Sequence, residues 1–345
     1  MRNKKKKYGK YIIPIVILVL IAGLIIFFGG GSNLDVKSSE NDEVFSVTDK
    51  GEIKVTEDGT KYIVDPSKIK GGGPPKDGIP SIDNPKFVSV QEADQWIEDD
   101  ALVLAIIHKG IKRVYPLQIM TWHEIVNDNI AGDPILITYC PLCGSGIAYE
   151  RMIEINGKKQ EVEFGTSGKL YSSNLVMYDR KTDTYWQQID GVAIVGELTG
   201  QELKEISLDT ITWSEWKSVH SDSEVLSQNT GFSRNYGRDP YANYFANDFL
   251  FFQDPENVDS TGRISNKEFV FGVEIDGKYK AYRKADVDEM GIIEDTFNGV
   301  NIKLEKLEDG RVIVTNVDTG EEIVKEVDFW FAWYAFHPDS ELYGF

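Results

Sequence analysis

Leu102-Val-Leu-Ala-Ile-Ile-His108-Lys-Gly110-Ile-Lys-Arg-Val-Tyr115-Pro-Leu-Gln-Ile-Met-Thr-Trp-His123-Glu-Ile-Val-Asn127-Asp-Asn-Ile-Ala-Gly132-Asp-Pro-Ile135-Leu-Ile137 is the stretch on which the fold turns. Leu102 to His108 and Ile111 to Tyr115 are apolar runs around Lys109-Gly110, the mark of two strands and a tight turn. Leu117 to Asn127 has helical spacing, and Ile135 to Tyr139 reads as a further strand. The pattern then recurs. Phe269–Leu304 lies on Leu102–Ile137 without a gap, Phe269 following Leu102 by 167 residues. Val103 meets Val270, Gly110 meets Gly277, Tyr115 meets Tyr282, Asp128 meets Asp295, Gly132 meets Gly299 and Ile135 meets Ile302. Identities at turn glycines and strand ends are where shared geometry places them. The expectation is a duplicated strand–turn–strand–helix–strand unit.

The rest of the chain agrees with a β-rich α+β class. Asn156-Gly157 marks a hairpin between Ile147–Ile155 and Gln160–Phe164, and Asp276-Gly277 marks another. Asn174–Tyr178, Tyr185–Ile189, Val300–Leu304 and Val312–Asn316 read as strands. Ser89-Val-Gln-Glu92 and Thr212-Trp-Ser-Glu215 are capping boxes that open short helices. The aromatic run Val327–Phe336 is too short for a bilayer and reads as a buried strand.

The N-terminus is basic over residues 1–10, and Tyr11 to Phe28 carry no charge. As a helix this run spans about 27 Å, near the minimum for the hydrocarbon core. Lysines before it and acids after it predict a cytoplasmic tail (1–10), a transmembrane anchor (11–28) and an extracytoplasmic remainder. A cleaved signal peptide is the competing reading. Residues 29–78 are rich in Gly, Ser, Asp and Lys and read as a linker with a small hairpin near Gly51–Val64, so one large domain occupies 79–345. The net charge of −19 argues against nucleic acid and anionic lipid surfaces as partners; the membrane enters only through the anchor.

The chain has two cysteines, Cys140 and Cys143, in the run Cys140-Pro-Leu-Cys143. This spacing can close a disulfide, exchange one, or hold a soft metal. The glycines of Gly144-Ser-Gly146, followed by a strand, disfavour the long helix of a thioredoxin site. His123, on the apolar face of its helical stretch, and His337, at the end of the aromatic run, are candidate co-ligands. Cys140, Cys143, His123 and His337 thus form a sulfur- and nitrogen-rich set suited to copper before zinc, with redox or delivery work. Metal-free thiol–disulfide exchange by the cysteines, and a structural disulfide in a partner-binding ectodomain, stay open. His108 and His220 read as surface residues. No nucleotide motif occurs; Asp179 with Asp183, or Glu124 beside His123, could serve as acid and base, but spacing forces no pair and no Ser-centred elbow marks a hydrolase. In the repeat His123 falls opposite Met290 and Cys140 opposite Leu307, so one copy has the frame without the reactive groups.

Trp122-His123-Glu124-Ile-Val-Asn127, Thr138-Tyr-Cys140-Pro-Leu-Cys143-Gly144, Phe164-Gly-Thr-Ser-Gly168, Met177-Tyr-Asp179-Arg180 with Trp186-Gln187, Thr230-Gly-Phe-Ser-Arg234 and Phe331-Ala-Trp-Tyr-Ala-Phe336-His337-Pro338 resemble the blocks of the prokaryotic family called domain of unknown function 3179. The resemblance covers about Ile79 to Tyr343 and implies no established activity and no catalytic residues.

Overall fold

The computed structural model describes residues 43–48, 50–251 and 258–345. The tail and the expected anchor lie outside them. Among the described residues no helix is long and apolar enough to cross a membrane. The described body is β-rich with few, short helices.

A first frame begins with hairpin β1 (Leu102–His108) and β2 (Ile111–Pro116), runs into α1 (Leu117–His123), and continues with hairpin β3 (Ile125–Ile130) and β4 (Asp133–Cys140). After an insertion come β5 (Asp209–Thr212), α2 (Trp213–Val219) and β6 (Glu224–Leu226). The second frame repeats the list: β7 (Phe269–Ile275), β8 (Lys278–Arg283), α3 (Lys284–Met290), β9 (Ile292–Phe297), β10 (Val300–Lys306), β11 (Lys325–Phe329), α4 (Trp330–Phe336) and β12 (Glu341–Leu342). From β1 to β3 every boundary recurs at the same offset in β7 to β9, and β4 starts in step with β10.

Sheet orders repeat too. One sheet runs β5-β1-β2-β6 and ends on Phe87–Ser89; its counterpart runs β11-β7-β8-β12. In both, the fourth strand, β6 or β12, joins in parallel and the others antiparallel. A second sheet in each frame starts from the β3–β4 or β9–β10 hairpin and adds two strands, Ser145–Glu150 with Lys204–Ile206, or Val312–Asn316 with Glu322–Ile323.

Side-chain bonds follow the same rule. Tyr115 Oη donates to Asp128 at 2.6 Å and Tyr282 Oη to Asp295 at 2.7 Å. Arg113 pairs with Asp128, and Lys280, at the matching position, with Asp295 at 2.6 Å. The turns are left-handed pairs ending in glycine, Lys109-Gly110 (φ 48 and 83) and Asp276-Gly277 (φ 49 and 72). Glycine reaches such φ at no steric cost, which fixes hairpin register.

Three expectations are corrected here. The helix from Leu117 stops at His123, because Glu124 turns left-handed (φ 59) and Ile125 opens a strand. Trp330–Phe336 is a helix, not a strand: Trp330, Phe331 and Trp333 are buried at helical spacing. Residues 43–71 are no free linker. They supply strands to an eight-stranded sheet built on the insertion, with Lys61–Tyr62 beside Ala193–Val195 and Lys70–Gly71 beside Phe164–Tyr171.

The largest apolar cluster lies where the insertion meets both frames and holds Cys140, Cys143, Trp186, Phe329 and Phe331. Each frame keeps its own core besides, around Tyr115 in the first and Tyr282 in the second.

Candidate functional site

Cys140 ends β4 and Cys143 precedes Ser145–Glu150, so the motif is the turn of a hairpin. Its backbone bond, Cys143 N to Cys140 O at 3.1 Å, recurs in the second frame as Gly310 N to Leu307 O at 3.1 Å. Leu-Glu-Asp-Gly makes the same turn, so the turn does not require cysteine. Both thiols are free and buried, 2% and 0% exposed. Their sulfurs share one neighbour, the carbonyl of Ser173, at 3.8 Å from Cys140 Sγ and 3.5 Å from Cys143 Sγ.

The insertion supplies the polar wall of this chamber. Asn174 Nδ2 points at Cys143 Sγ (3.6 Å) and donates to Gln188 Oε1 at 2.7 Å. Gln188 Nε2 in turn donates to Thr138 Oγ1 and Ser145 Oγ. The opposite wall is aromatic: Tyr244 Oη donates to Leu142 O at 2.9 Å, with Tyr139 and Tyr241 nearby. Burial pushes the Cys143 thiol up, against the hydrogen bond from Asn174, which favours thiolate.

Glu124 lies against Tyr241, the tyrosine that also faces Cys140. Its carboxyl is buried and receives one weak bond, from Tyr241 Oη at 3.4 Å. Burial pushes it up to about 8. The backbone is left-handed at this residue, where the second frame has Gly291 (φ 73). A non-glycine held there stores strain that the twin position avoids.

The two expected histidine ligands lie elsewhere. His123 is buried, and both ring nitrogens are engaged: Nδ1–H donates to Pro80 O at 2.7 Å and Nε2 accepts from Tyr236 Oη at 2.7 Å. Burial lowers its pKa, so it is a neutral, satisfied core residue with no lone pair to spare. His337 stacks on Tyr279 at 3.9 Å and faces Asp190 and Glu326. Among the described residues, that trio is the one set of three or more Cys, His, Asp or Glu ligand atoms that converge. The expected four-residue site is therefore divided among three places, with the cysteines together and each histidine apart from them. His220, expected on the surface, is buried and bonded through Nε2 to Asp309 at 2.7 Å.

Sequence reading raised Glu124 only as one of several acid–base candidates, and missed Asn174 and the acids around His337. One signal was present: the 167-residue offset sets Glu124 against Gly291, a glycine exactly where a helix should end.

Frame, insertion and chamber together define a β-rich protein with a buried dithiol. The model of the family described as protein of unknown function (DUF3179) matches residues 76–324, and the chain belongs to that family. The match includes both cysteines and stops before α4 and His337. No curated protein and no solved structure matches.

Proposed function

We propose that this is a membrane-tethered, extracytoplasmic protein whose Cys140 and Cys143 bind one Cu(I) as a two-thiolate site. The observation that carries the reading is the pair of buried sulfurs converging on one carbonyl with no histidine beside them. Structural zinc takes four ligands, and this chamber offers two; soft thiolates in low coordination suit Cu(I). Binding replaces two S–H bonds with two Cu–S bonds and sends the protons to solvent. The Asn174 amide offsets part of the charge on Cys143, and the tyrosines keep the ion dry. The basic N-terminus and the apolar run Tyr11–Phe28 support the tether and the orientation. The two frames are proposed to be pseudo-twofold copies of one ancestral unit, on the strength of their common boundaries and bonds.

Glu124 favours a second reading. A buried carboxyl with a pKa near 8 can take and return the proton of a thiol, as disulfide exchange with a small-molecule disulfide requires. In that case one cysteine thiolate attacks the small-molecule disulfide and expels one thiol, and the other cysteine then displaces the second, leaving Cys140 and Cys143 as a disulfide and releasing two thiols.

The test is anaerobic titration of reduced full-length protein with Cu(I) against a chromophoric chelator. We expect one Cu(I) per chain with proton release, lost in Cys140→Ser and in Cys143→Ser and kept in His123→Gln and His337→Gln. No uptake by the reduced protein defeats the copper reading. Rapid oxidation of the pair by a small disulfide, slowed in Glu124→Gln, then establishes the exchange reading.

A further inference from the structure

We propose that Asp190, Glu326 and His337 bind a divalent transition-metal cation, zinc before manganese, through two carboxylates and one imidazole. This site is separate from the cysteine pair and does not rest on the copper reading.

The molecule contains its own control. His220 and His337 occupy one position in the two frames: each follows the last residue of its helix, α2 or α4, with nearly the same backbone (φ −118, ψ 60 and φ −126, ψ 65). Each ring lies 4.2 Å from the tryptophan one turn earlier, Trp216 or Trp333. Those tryptophans donate to Ser223 and Ser340 at 2.9 and 2.8 Å. Up to this point the two histidines are interchangeable.

They differ in what they face. His220 Nε2 is joined to Asp309 at 2.7 Å, and Asp309 is further held by Arg311 at 2.8 Å, which closes a neutralised cluster. His337 Nε2 stands 3.3 Å from Asp190 Oδ1 and makes no hydrogen bond, although the residue is only 3% exposed. A buried ring nitrogen without a partner is costly unless something else fills its valence. Around it the acids accumulate. Glu326 Oε2 and both carboxylate oxygens of Asp328 are buried beside one another, and burial pushes both carboxyls up. The lysines nearby are paired to other acids at close range, Lys325 to Asp209 at 2.8 Å, Lys50 to Glu202 at 3.3 Å and Lys204 to Glu150 at 2.5 Å, and of these Lys50 also faces Asp190.

The ligand atoms of Asp190, Glu326 and His337 already lie within 4.8 Å of one another, and a pocket of about 350 Å³ opens beside them, its lining acids Asp190, Glu205, Glu274 and Glu326 outnumbering Lys50 and Lys204. A divalent ion at their centre neutralises the carboxylates and takes the free lone pair of the imidazole, whose orientation the Tyr279 stack fixes. One nitrogen and two oxygens form a borderline donor set that suits zinc or manganese rather than Cu(I), and three protein ligands leave a coordination position for water. Asp190 comes from the insertion, whereas Glu326 lies on β11 and His337 follows α4 in the second frame. The residue matching Asp309 in the first frame is Leu142, inside the cysteine turn, so an acid for His337 had to come from outside the frame.

The experiment uses full-length protein carrying Cys140→Ser and Cys143→Ser, stripped with chelator and titrated calorimetrically with zinc, manganese and calcium. We expect one zinc per chain, manganese more weakly, and calcium weakest. Asp190→Asn and His337→Gln should each weaken zinc at least about tenfold, while His220→Gln leaves it unchanged. Thermal melts provide the folding control: both site variants should still melt cooperatively and lose the zinc-dependent rise in Tm. Absence of stoichiometric zinc binding overturns the proposal, as does zinc affinity in cooperatively folded Asp190→Asn and His337→Gln equal to that of the parent.

Discussion

The first frame carries a glutamate in the left-handed position after its helix, where the second carries a glycine; the second carries an open histidine, where the first has a closed one. Each frame is conventional where the other is strained. A scaffold need would act on both copies alike, because their strands, turns and tyrosine–aspartate bonds are the same. The departures are where the proposed chemistry lies, and each can be tested against its twin.

The largest effects should be the most alike. Trp216 and Trp333 are both fully buried and bonded through Nε1 to a serine, so Trp216→Ala and Trp333→Ala should each cost about 3–5 kcal/mol in urea unfolding. Costs that differ several-fold would show that the frames share geometry without sharing energetics.

Glu124→Gly should run the other way. It relieves the left-handed strain and removes a buried carboxyl, so the protein should gain about 1–3 kcal/mol while losing any proton transfer at the thiols. Gly291→Glu, with open space beyond its Cα, should lose about 1–2 kcal/mol from backbone strain alone. The pH dependence sharpens the contrast. The folded protein keeps the Glu124 proton up to about pH 8, whereas the unfolded chain releases it near 4.5. More protons are then bound in the folded state across that window, so stability falls as pH rises through it. Glu124→Gln should flatten that slope, read as ΔG of unfolding against pH.

The histidine twins should give the smallest difference. His220→Ala breaks a buried bond to Asp309 and should cost about 1–3 kcal/mol. His337→Ala, in chelator, breaks no hydrogen bond at Nε2 and should cost less than half as much. Equal costs would mean that His337 is bound to Asp190 in solution as firmly as His220 is to Asp309.

The sequence was most legible where local chemistry is self-sufficient. Lys109-Gly110, Asn156-Gly157 and Asp276-Gly277 placed three hairpins, and the capping box at Thr212 placed a helix, because each is decided within a few residues. The offset of 167 residues placed the recurring order of strands and helix. What failed was what depends on distant partners. Trp330–Phe336 is apolar enough for a strand, and only its packing against β7, where Gly272 lets the Trp333 ring approach, makes it a helix face. His123 sat on an inward face as expected, but Pro80 and Tyr236, far off in sequence, satisfy it. The cysteines were visible and their neighbours were not, since Ser173, Asn174 and Gln188 reach the chamber through the insertion.

The strands at 43–71 have a consequence in time. They are the first part of the body to emerge during synthesis or translocation, yet Tyr62 pairs with Val195 and Lys70 with Leu170. At about 5–20 residues per second, their edges wait on the order of ten seconds for partners. The thiols wait less long: Asn174 follows Cys143 by 31 residues, so for about a few seconds the chamber has no polar wall and its thiols are open to whatever ion or oxidant surrounds the chain. The order in which the chain appears thus gives the cysteines one exposed period before burial, and a metal or a disulfide taken up then is enclosed when the sheet closes.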